Sequence, residues 1–189
     1  MGSVGNGSGN TATLKALSDV ESRIYAGFTE TAVIMSADGE ILVDKSNGLK
    51  DRVYFYADDE RKMKDAIMTH NHPSSTTFSI PDVNVLVKGQ LKEIRAVAKN
   101  GLVVYSLKRD DTSSNLKFKS DFENDYRNHI NEYKNNVTDP QWDNRPLMSE
   151  QEEQVLANKL NDMVSEYSRK YLKENASKFG YVYTEQKRR

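Results

Sequence analysis

The first hundred residues alternate between short apolar segments and polar turns. Between residues 14 and 27, leucine, valine and isoleucine recur every three or four positions, which predicts a helix that ends near Gly27. The Ala-Asp-Gly sequence at 37–39 is typical of a tight turn, so the segments on either side are expected to pair as a hairpin. Three runs rich in β-branched and aromatic residues predict strands at 31–36, 40–46 and 52–57.

Further helix and strand signals continue along the next fifty residues. The segment 58–72 begins with helix-forming residues and ends in an apolar run, which predicts a short helix followed by a strand. Ser79 and Asp82 form a capping box, so the next helix is expected to begin there and to end within 89–92. The Asn-Gly sequence at 100–101 then predicts a second hairpin between two further strands.

Beyond residue 112 the chain becomes more polar and its periodicity predicts helices. One helix is expected around 118–135 and a longer one from Ser149 to about Lys178. We interpret Trp142, in the loop between them, as an anchor of this region to the rest of the protein, or as an interface residue. The chain is therefore expected to have three parts. Residues 1–12 would be a flexible linker or cloning remnant, residues 13–110 a domain, and residues 111–189 a helical C-terminal extension.

Composition and charge narrow the class of protein. The chain has 27 basic and 28 acidic side chains and a net charge of -1, so binding to nucleic acid mainly through phosphates is not expected. It contains no cysteine, which excludes disulfides and thiolate metal sites and fits a cytoplasmic protein. No apolar run approaches the ~20 residues of a membrane span, so a membrane partner is not expected.

Two of the three histidines lie two positions apart, at His70 and His72. On a strand their side chains project from the same face, so both imidazoles can bind one ion, while Asn71 points away. Asp82 follows a loop rich in proline and serine, and a loop that folds back at a helix start could bring its carboxylate to the same ion. His129, in a polar helical segment, is interpreted as a surface residue outside the site.

Two histidines and one aspartate suit zinc and leave its fourth position open for water. Zinc lowers the pKa of bound water to roughly 7 and polarises a carbonyl group, so such a site suits amide hydrolysis. The reaction also requires a group that shuttles protons. Glu30 is best placed for this because it precedes the first strand, and Glu40 is the second candidate among four upstream glutamates: Glu21, Glu30, Glu40 and Glu60.

The same residues also have structural interpretations. Two histidines two apart are often part of a polar loop or a half-buried strand, and Glu30 could be a solvated residue at a strand end. Ser79 and Asp82 could serve only as a capping box, in which the serine accepts a backbone N–H and the aspartate lies in the positive first turn. Ser79 could combine both roles, whereas the two roles compete for Asp82.

The order of these residues resembles the signature of the JAMM metallopeptidases, also called JAB or MPN+. The sequence His70-x-His72-Pro73 is followed by Ser79-x-x-Asp82, with a glutamate before an early strand and a hairpin at 93–107 after the motif. The similarity covers about residues 14–108. Five residues separate Pro73 from Ser79, one fewer than is usual in the family, so the intervening loop is shorter.

The resemblance implies an α/β fold with a mixed, curved sheet flanked by helices, here followed by the helical extension. It implies that one zinc ion binds to His70, His72 and Asp82. It further implies that Glu30 takes a proton from the attacking water and returns it to the leaving amine, and that Ser79 helps to stabilise the oxyanion. The expected function is a zinc-dependent peptidase or isopeptidase whose substrate is a protein tail, such as a ubiquitin-like, phage or host polypeptide.

Two other functions remain open. The sequence HNHPS at 70–74 resembles the bacterial, RadC-like branch of the family and the JAB domains of phage head-morphogenesis proteins. The chain could therefore be a non-catalytic, metal-binding JAMM-like module used in phage or mobile-element assembly. It could also be a nucleic-acid-associated RadC-like factor, although its near-neutral charge argues against that function.

Overall fold

Six strands form one mixed β-sheet at the centre of the protein. The structure is a computed structural model that describes residues 7–99, 101–112, 119–138 and 148–187. The strands are β1 Thr31–Met35, β2 Ile41–Ser46, β3 Ile67–His72, β4 Glu93–Ala98, β5 Val103–Arg109 and β6 Tyr181–Lys187. They lie in the order β2-β1-β3-β4-β5-β6, and β3 pairs with β4 in parallel while the other described pairs are antiparallel.

Helices flank this sheet, which confirms the expected α/β class. They are α1 Gly7–Ile24, α2 Ala57–Glu60, α3 Ile80–Lys88, α4 Lys119–Val137 and α5 Glu150–Asn175, with a 3₁₀ helix at Ala176–Phe179. Helix α3 connects the parallel strands β3 and β4, a connection that needs a crossover rather than a hairpin. No helix in the described ranges is both long and apolar enough to cross a membrane.

The sheet separates two apolar layers. Successive residues of β1 contribute to opposite layers, since Ile34 packs with the larger cluster and Val33 with the smaller one. The larger cluster includes Phe122 of α4 and Leu172 of α5, and the smaller one includes Leu17 of α1. Strands β3 and β4 are buried along their whole length, because both of their faces are covered.

A buried ion network joins α1 to the sheet. Arg95 on β4 donates from Nε to Glu21 of α1 at 2.6 Å and from Nη1 to Glu93 at 2.8 Å. Ser106 donates a further hydrogen bond to Glu93 at 2.7 Å. These three charged side chains are less than a tenth exposed, so their charges depend on one another for compensation. Glu21 is committed to this network and is not available as a proton shuttle.

Several local predictions agree with the structure. Strands β1 and β2 form the expected hairpin, and β4 and β5 form the second one, with Gly101 at a φ of 66°. A short helix precedes β3 as expected, and the capping boxes at Ser79 and Ser149 are both present. Helix α5 ends at Asn175 and the following 3₁₀ helix ends at Phe179, where Gly180 with its left-handed φ of 75° stops the helical run.

The segment 52–57 is not the strand that its composition predicted. Its side chains do alternate between partly buried and exposed positions, because Val53 and Phe55 pack against the core while Tyr54 and Tyr56 are exposed. The segment nevertheless forms no ladder with any strand in the part of the chain that the structure describes. The Tyr54 backbone N–H is instead satisfied by the Asn47 side chain at 2.7 Å. The alternation of side chains in this segment therefore predicted correctly which side chains pack against the core. It did not show that the backbone pairs with another strand.

The two ends of the chain also differ from the prediction. Helix α1 begins at Gly7, inside the expected linker 1–12, because extending a helix that is already anchored costs little and needs no apolar stripe. Strand β6 was not predicted, although its alternating aromatic and β-branched residues are typical of a strand. The expected helical extension thus supplies a strand to the same sheet. The loop with Trp142 lies outside the described residues.

Candidate metal centre

Strand β3 places His70 and His72 on the same face of the sheet. Their Nε2 atoms are 2.8 Å apart, and their rings are in a T-shaped arrangement. Asn71 points to the other face, where its Oδ1 accepts from the Thr31 N–H at 2.7 Å and its Nδ2 donates to the Thr29 carbonyl at 3.1 Å. The strand thus presents two imidazoles to the site and uses the residue between them to fix the segment that carries Glu30.

Helix α3 supplies the carboxylate that faces these imidazoles. Asp82 Oδ1 lies 3.2 Å from His70 Nε2, and Oδ2 lies 3.4 Å from His72 Nε2. Asp82 also completes the capping box, because Oδ2 accepts from the Ser79 N–H at 2.6 Å and from Ser79 Oγ at 2.7 Å. The capping and ligand roles expected to compete for Asp82 are therefore compatible. The helix cap orients the carboxylate, and Oδ1 remains directed at His70.

Glu30 completes the cluster from the start of β1. Its side chain, with those of His70, His72 and Asp82, places potential ligand atoms within 4.8 Å of one another, and all four residues are buried. The backbone of Glu30 is held on both sides, since its N–H donates to the Leu49 carbonyl at 2.7 Å and its carbonyl accepts from Ser46 Oγ at 2.9 Å.

The other candidates from the sequence lie elsewhere. Glu40 is exposed at the turn between β1 and β2, and Glu60 is exposed at the end of α2. His129, expected to be a surface residue, is 44% exposed at its side chain on α4. Of the four candidate glutamates, Glu30 is the one that joins the cluster.

The cluster has the dimensions of a metal site. Ligand atoms at about 2.0–2.2 Å from a tetrahedrally coordinated ion are roughly 3.3–3.6 Å from one another. The distances of 2.8, 3.2 and 3.4 Å among His70 Nε2, His72 Nε2 and the Asp82 carboxylate are close to this range. Two imidazole nitrogens and one carboxylate form a donor set that suits a transition ion such as zinc. These residues could therefore hold one metal ion.

Hydrogen bonds at the second ring nitrogens define which histidine atom is available. His72 Nδ1 lies 2.9 Å from the Thr76 carbonyl oxygen, which can only accept, so Nδ1 carries the proton. In the neutral ring, the lone pair is then on Nε2, which faces the cluster. His70 Nδ1 is buried without a hydrogen-bond partner in the part of the chain that the structure describes. Such a group costs about 1–3 kcal/mol, so His70 is held in place at some cost to stability.

The ionisable groups of the cluster shift one another's pKa values. Burial tends to raise the pKa of Asp82, but its contacts with His70 and His72 outweigh burial and hold that pKa well below its usual range. Burial tends to lower the pKa of His72, but Asp82 outweighs it and raises the pKa to about 8. Burial raises the pKa of Glu30, with opposition mainly from His70. A carboxylate with a raised pKa is suited to accepting a proton near neutral pH.

Side chains from the C-terminal part of the chain hold the loop between His72 and Ser79. The Tyr126 hydroxyl donates to the Phe78 carbonyl at 2.7 Å, and the Thr77 N–H donates to Ser165 Oγ at 3.1 Å. Thr77 Oγ1 also lies 3.1 Å from the Tyr183 hydroxyl. We call these three contacts, from α4, α5 and β6, the loop clamp. No local sequence pattern indicates these contacts, because the partners are far apart in the chain.

An open cleft of about 830 Å³ leads to the cluster. Glu30, His72 and Asp82 line its inner part. Its outer part is formed by the segment 50–54, by residues of the loop after β3 and by two side chains at strand ends, Phe28 and Lys99. The cleft therefore gives a ligand larger than water access to the possible metal site.

Comparison with known proteins gives no match. The chain matches no protein-family model, and neither curated proteins nor solved structures show significant similarity to it. The function of this protein therefore has to be inferred from the site itself.

Proposed function

We propose that this protein is a zinc-dependent metallopeptidase or isopeptidase of the JAMM type, which hydrolyses an amide bond in an extended protein tail. One observation carries the proposal. Two histidines and an aspartate converge with a buried glutamate at the inner end of an open cleft. A buried structural ion pair does not require such access from solvent, whereas a hydrolytic site does.

Each residue of the cluster has a defined part in the proposed reaction. His70, His72 and Asp82 would hold the ion, which when bound supplies a Lewis acid that polarises the amide carbonyl and acidifies water. Glu30 accepts the proton of the attacking water and delivers it to the leaving amine. Burial raises the pKa of its carboxyl group, which favours acceptance of the proton from water.

Ser79 has a structural part and a proposed chemical one. Its Oγ donates to Asp82 Oδ2 at 2.7 Å, and the same oxygen accepts from the Asp82 N–H at 3.4 Å. Ser79 also lines the cleft. A rotation about its side-chain torsion would redirect the hydroxyl toward the oxygen of the amide carbonyl as negative charge develops there.

The cleft favours a flexible chain as substrate. A volume of about 830 Å³ accommodates a few residues of an extended peptide but not a folded domain. A tail that carries an isopeptide or terminal peptide bond can reach the inner residues, whereas an amide bond within a folded core cannot. A ubiquitin-like protein or a processed phage or host polypeptide would meet this requirement.

A non-catalytic, metal-binding assembly module is the second candidate. The observation that favours it is on α5, where Val155 is 68% exposed and Met163 is 39% exposed. These apolar side chains offer a helix surface on which a partner protein could dock. In this function the ion would stabilise the fold, and Glu30 would be dispensable.

The substitution Glu30→Gln separates the two functions. The variant and the parent are loaded with zinc, their metal content is measured, and both are assayed on fluorogenic peptide pools. A peptidase should lose about 10²–10⁴-fold in kcat/KM and retain zinc at the parent stoichiometry. Glu40→Gln, the same change at an exposed glutamate, is the control and should leave cleavage unchanged. Equal cleavage by Glu30→Gln and the parent, or no zinc binding by the parent, would contradict the proposal.

A further inference from the structure

We infer that Lys99 binds a carboxylate of the substrate beside the scissile bond, so that the cleft selects amide bonds flanked by an acidic group. This inference rests on the proposed hydrolytic function and specifies its substrate class. Three features support this role of Lys99. They are its position relative to the cluster, the contact that positions its ammonium group, and the balance of charge along the cleft.

The strand register places Lys99 next to the possible metal site. Strands β3 and β4 are parallel, and His72 pairs with Ala98 at their carboxyl ends. Lys99 is the next residue along the chain, so it leaves the sheet at the same end as the histidine. The side chains of both residues line the cleft. A substrate that reaches His72 therefore passes close to Lys99.

An aromatic ring, rather than a carboxylate, positions the ammonium group of Lys99. Its Nζ lies 4.5 Å from the centroid of the Phe28 ring, in a cation–π contact. No carboxylate among the described residues forms an ion pair with Lys99 within 4.0 Å. A cation–π contact restricts the position of the ammonium group but leaves its charge and hydrogen-bond donors free for a ligand. Phe28 is itself 76% exposed and provides an apolar surface beside that charge.

The charges of the cleft favour an anionic ligand. With a divalent ion bound, the charges of Glu30 and Asp82 are balanced at the inner end. At the outer end, Arg52 is occupied by Asp51 through two hydrogen bonds of 3.0 Å. Lys50 and Lys99 also line the cleft, so the outer part has an excess of positive charge. A cleft with this arrangement concentrates anionic chains and positions a carboxylate near the reacting bond.

The carboxylate could come from an aspartate or glutamate side chain, or from a free C-terminus. Both present the same group to the ammonium, so the experiment separates them. One set of zinc-loaded assays uses peptides with Asp or Glu on either side of the scissile bond and an amidated C-terminus. A second set uses neutral side chains and a free C-terminal carboxylate. Matched peptides with Asn, Gln or a terminal amide provide the reference in each set.

Three variants test the role of Lys99. The parent should cleave at least one carboxylate set about tenfold more efficiently than its neutral reference, mainly through a lower KM. Lys99→Met, which keeps an unbranched side chain one atom shorter and removes the charge, should abolish the preference. Lys99→Glu should reverse the preference in favour of lysine-containing peptides. Lys170→Glu, the same charge change at an exposed position on α5 that does not line the cleft, should behave as the parent. An absent preference, or one that persists in Lys99→Glu, overturns the inference.

Binding measurements separate this inference from the proposed function. Zinc-loaded Glu30→Gln, with and without Lys99→Glu, is titrated with the same peptides carrying a fluorescent label, and anisotropy is recorded. Carboxylate-dependent binding that Lys99→Glu abolishes, without cleavage by the parent, would reject the hydrolase and retain the role of Lys99. Cleavage by the parent that is insensitive to substrate charge would retain the hydrolase and reject the role of Lys99.

Discussion

Replacement of Tyr126 by phenylalanine tests whether the loop clamp controls the possible metal site. Tyr126 is 1% exposed, and its hydroxyl donates to the Phe78 carbonyl at 2.7 Å. The substitution keeps the ring and removes that donor, which leaves a buried carbonyl unsatisfied. The free energy of unfolding should fall by about 1–3 kcal/mol. At about 2–4 °C per kcal/mol for a protein of this size, Tm should fall by roughly 2–12 °C.

The same change should weaken metal binding. Phe78 immediately precedes Ser79, whose N–H and Oγ orient the Asp82 carboxylate. If about 1 kcal/mol of the lost free energy had served to hold this loop, the ratio of the binding to the non-binding loop conformation falls about fivefold. The apparent Kd for zinc then rises as the competent fraction falls, by at most the same factor. Calorimetric melting of the metal-free protein and competition with a chromogenic chelator measure the two effects.

A variant on the same helix provides the control. Tyr133 of α4 stacks on Tyr167 of α5 with ring centroids 4.1 Å apart, and it is not part of the loop clamp. Tyr133→Phe should therefore leave the affinity for zinc unchanged, whatever it does to Tm. Loss of stability in Tyr126→Phe with the parent's zinc affinity would refute the reasoning, because it would show that the loop keeps its conformation without the clamp.

Three further predictions concern other parts of the site and the fold. Zinc at a hundred times its Kd should stabilise the protein by about 2.7 kcal/mol and raise Tm by about 5–11 °C. Differential scanning fluorimetry should show this increase in His129→Gln but not in His70→Gln, and an equal increase in both would exclude His70 as a ligand. Arg95→Met leaves two buried carboxylates uncompensated, so the free energy of unfolding, measured in urea, should fall by about 3–5 kcal/mol. A fall of less than about 1 kcal/mol would mean that water already solvates these carboxylates. Asn71→Ala leaves the backbone groups beside Glu30 unpaired, at about 1–3 kcal/mol each. Asn71→Ala should therefore lower kcat by a larger factor than it lowers the affinity for zinc. A larger effect on zinc affinity than on kcat would show that Asn71 does not act by positioning Glu30.

Local sequence signals indicated the residues that the structure brings together in the cluster. The spacing of His70 and His72 indicates a shared face on a strand, and the Ser79–Asp82 spacing indicates a helix start, since both depend on backbone geometry over a few residues. That Asp82 both caps the helix and faces the histidines was not predicted. Its two oxygens can act separately, which depends on the approach of α3 to β3 and not on sequence spacing.

Contacts between distant segments could not be predicted in the same way. Ser165 is one of several polar residues on α5, and its position alone does not indicate that it accepts from Thr77. Likewise, the alternation at 52–57 reports burial on one side, but a strand also needs a partner with free backbone groups. In contrast, the alternation in β6 is a usable strand signal, but its partner β5 lies more than 70 residues earlier in the chain and gives no local indication of the pairing.

The pairing of β6 with β5 has a consequence for how the polypeptide can be dissected. A fragment ending near residue 110 would leave the outer backbone groups of β5 without partners, and exposed strands of this kind promote aggregation. It would also lack the side chains of the loop clamp, which contact Thr77 and Phe78. During translation, the surroundings of His70 and His72 cannot be completed until α4, α5 and β6 have been synthesised. Truncation to the segment with the motif should therefore yield insoluble material.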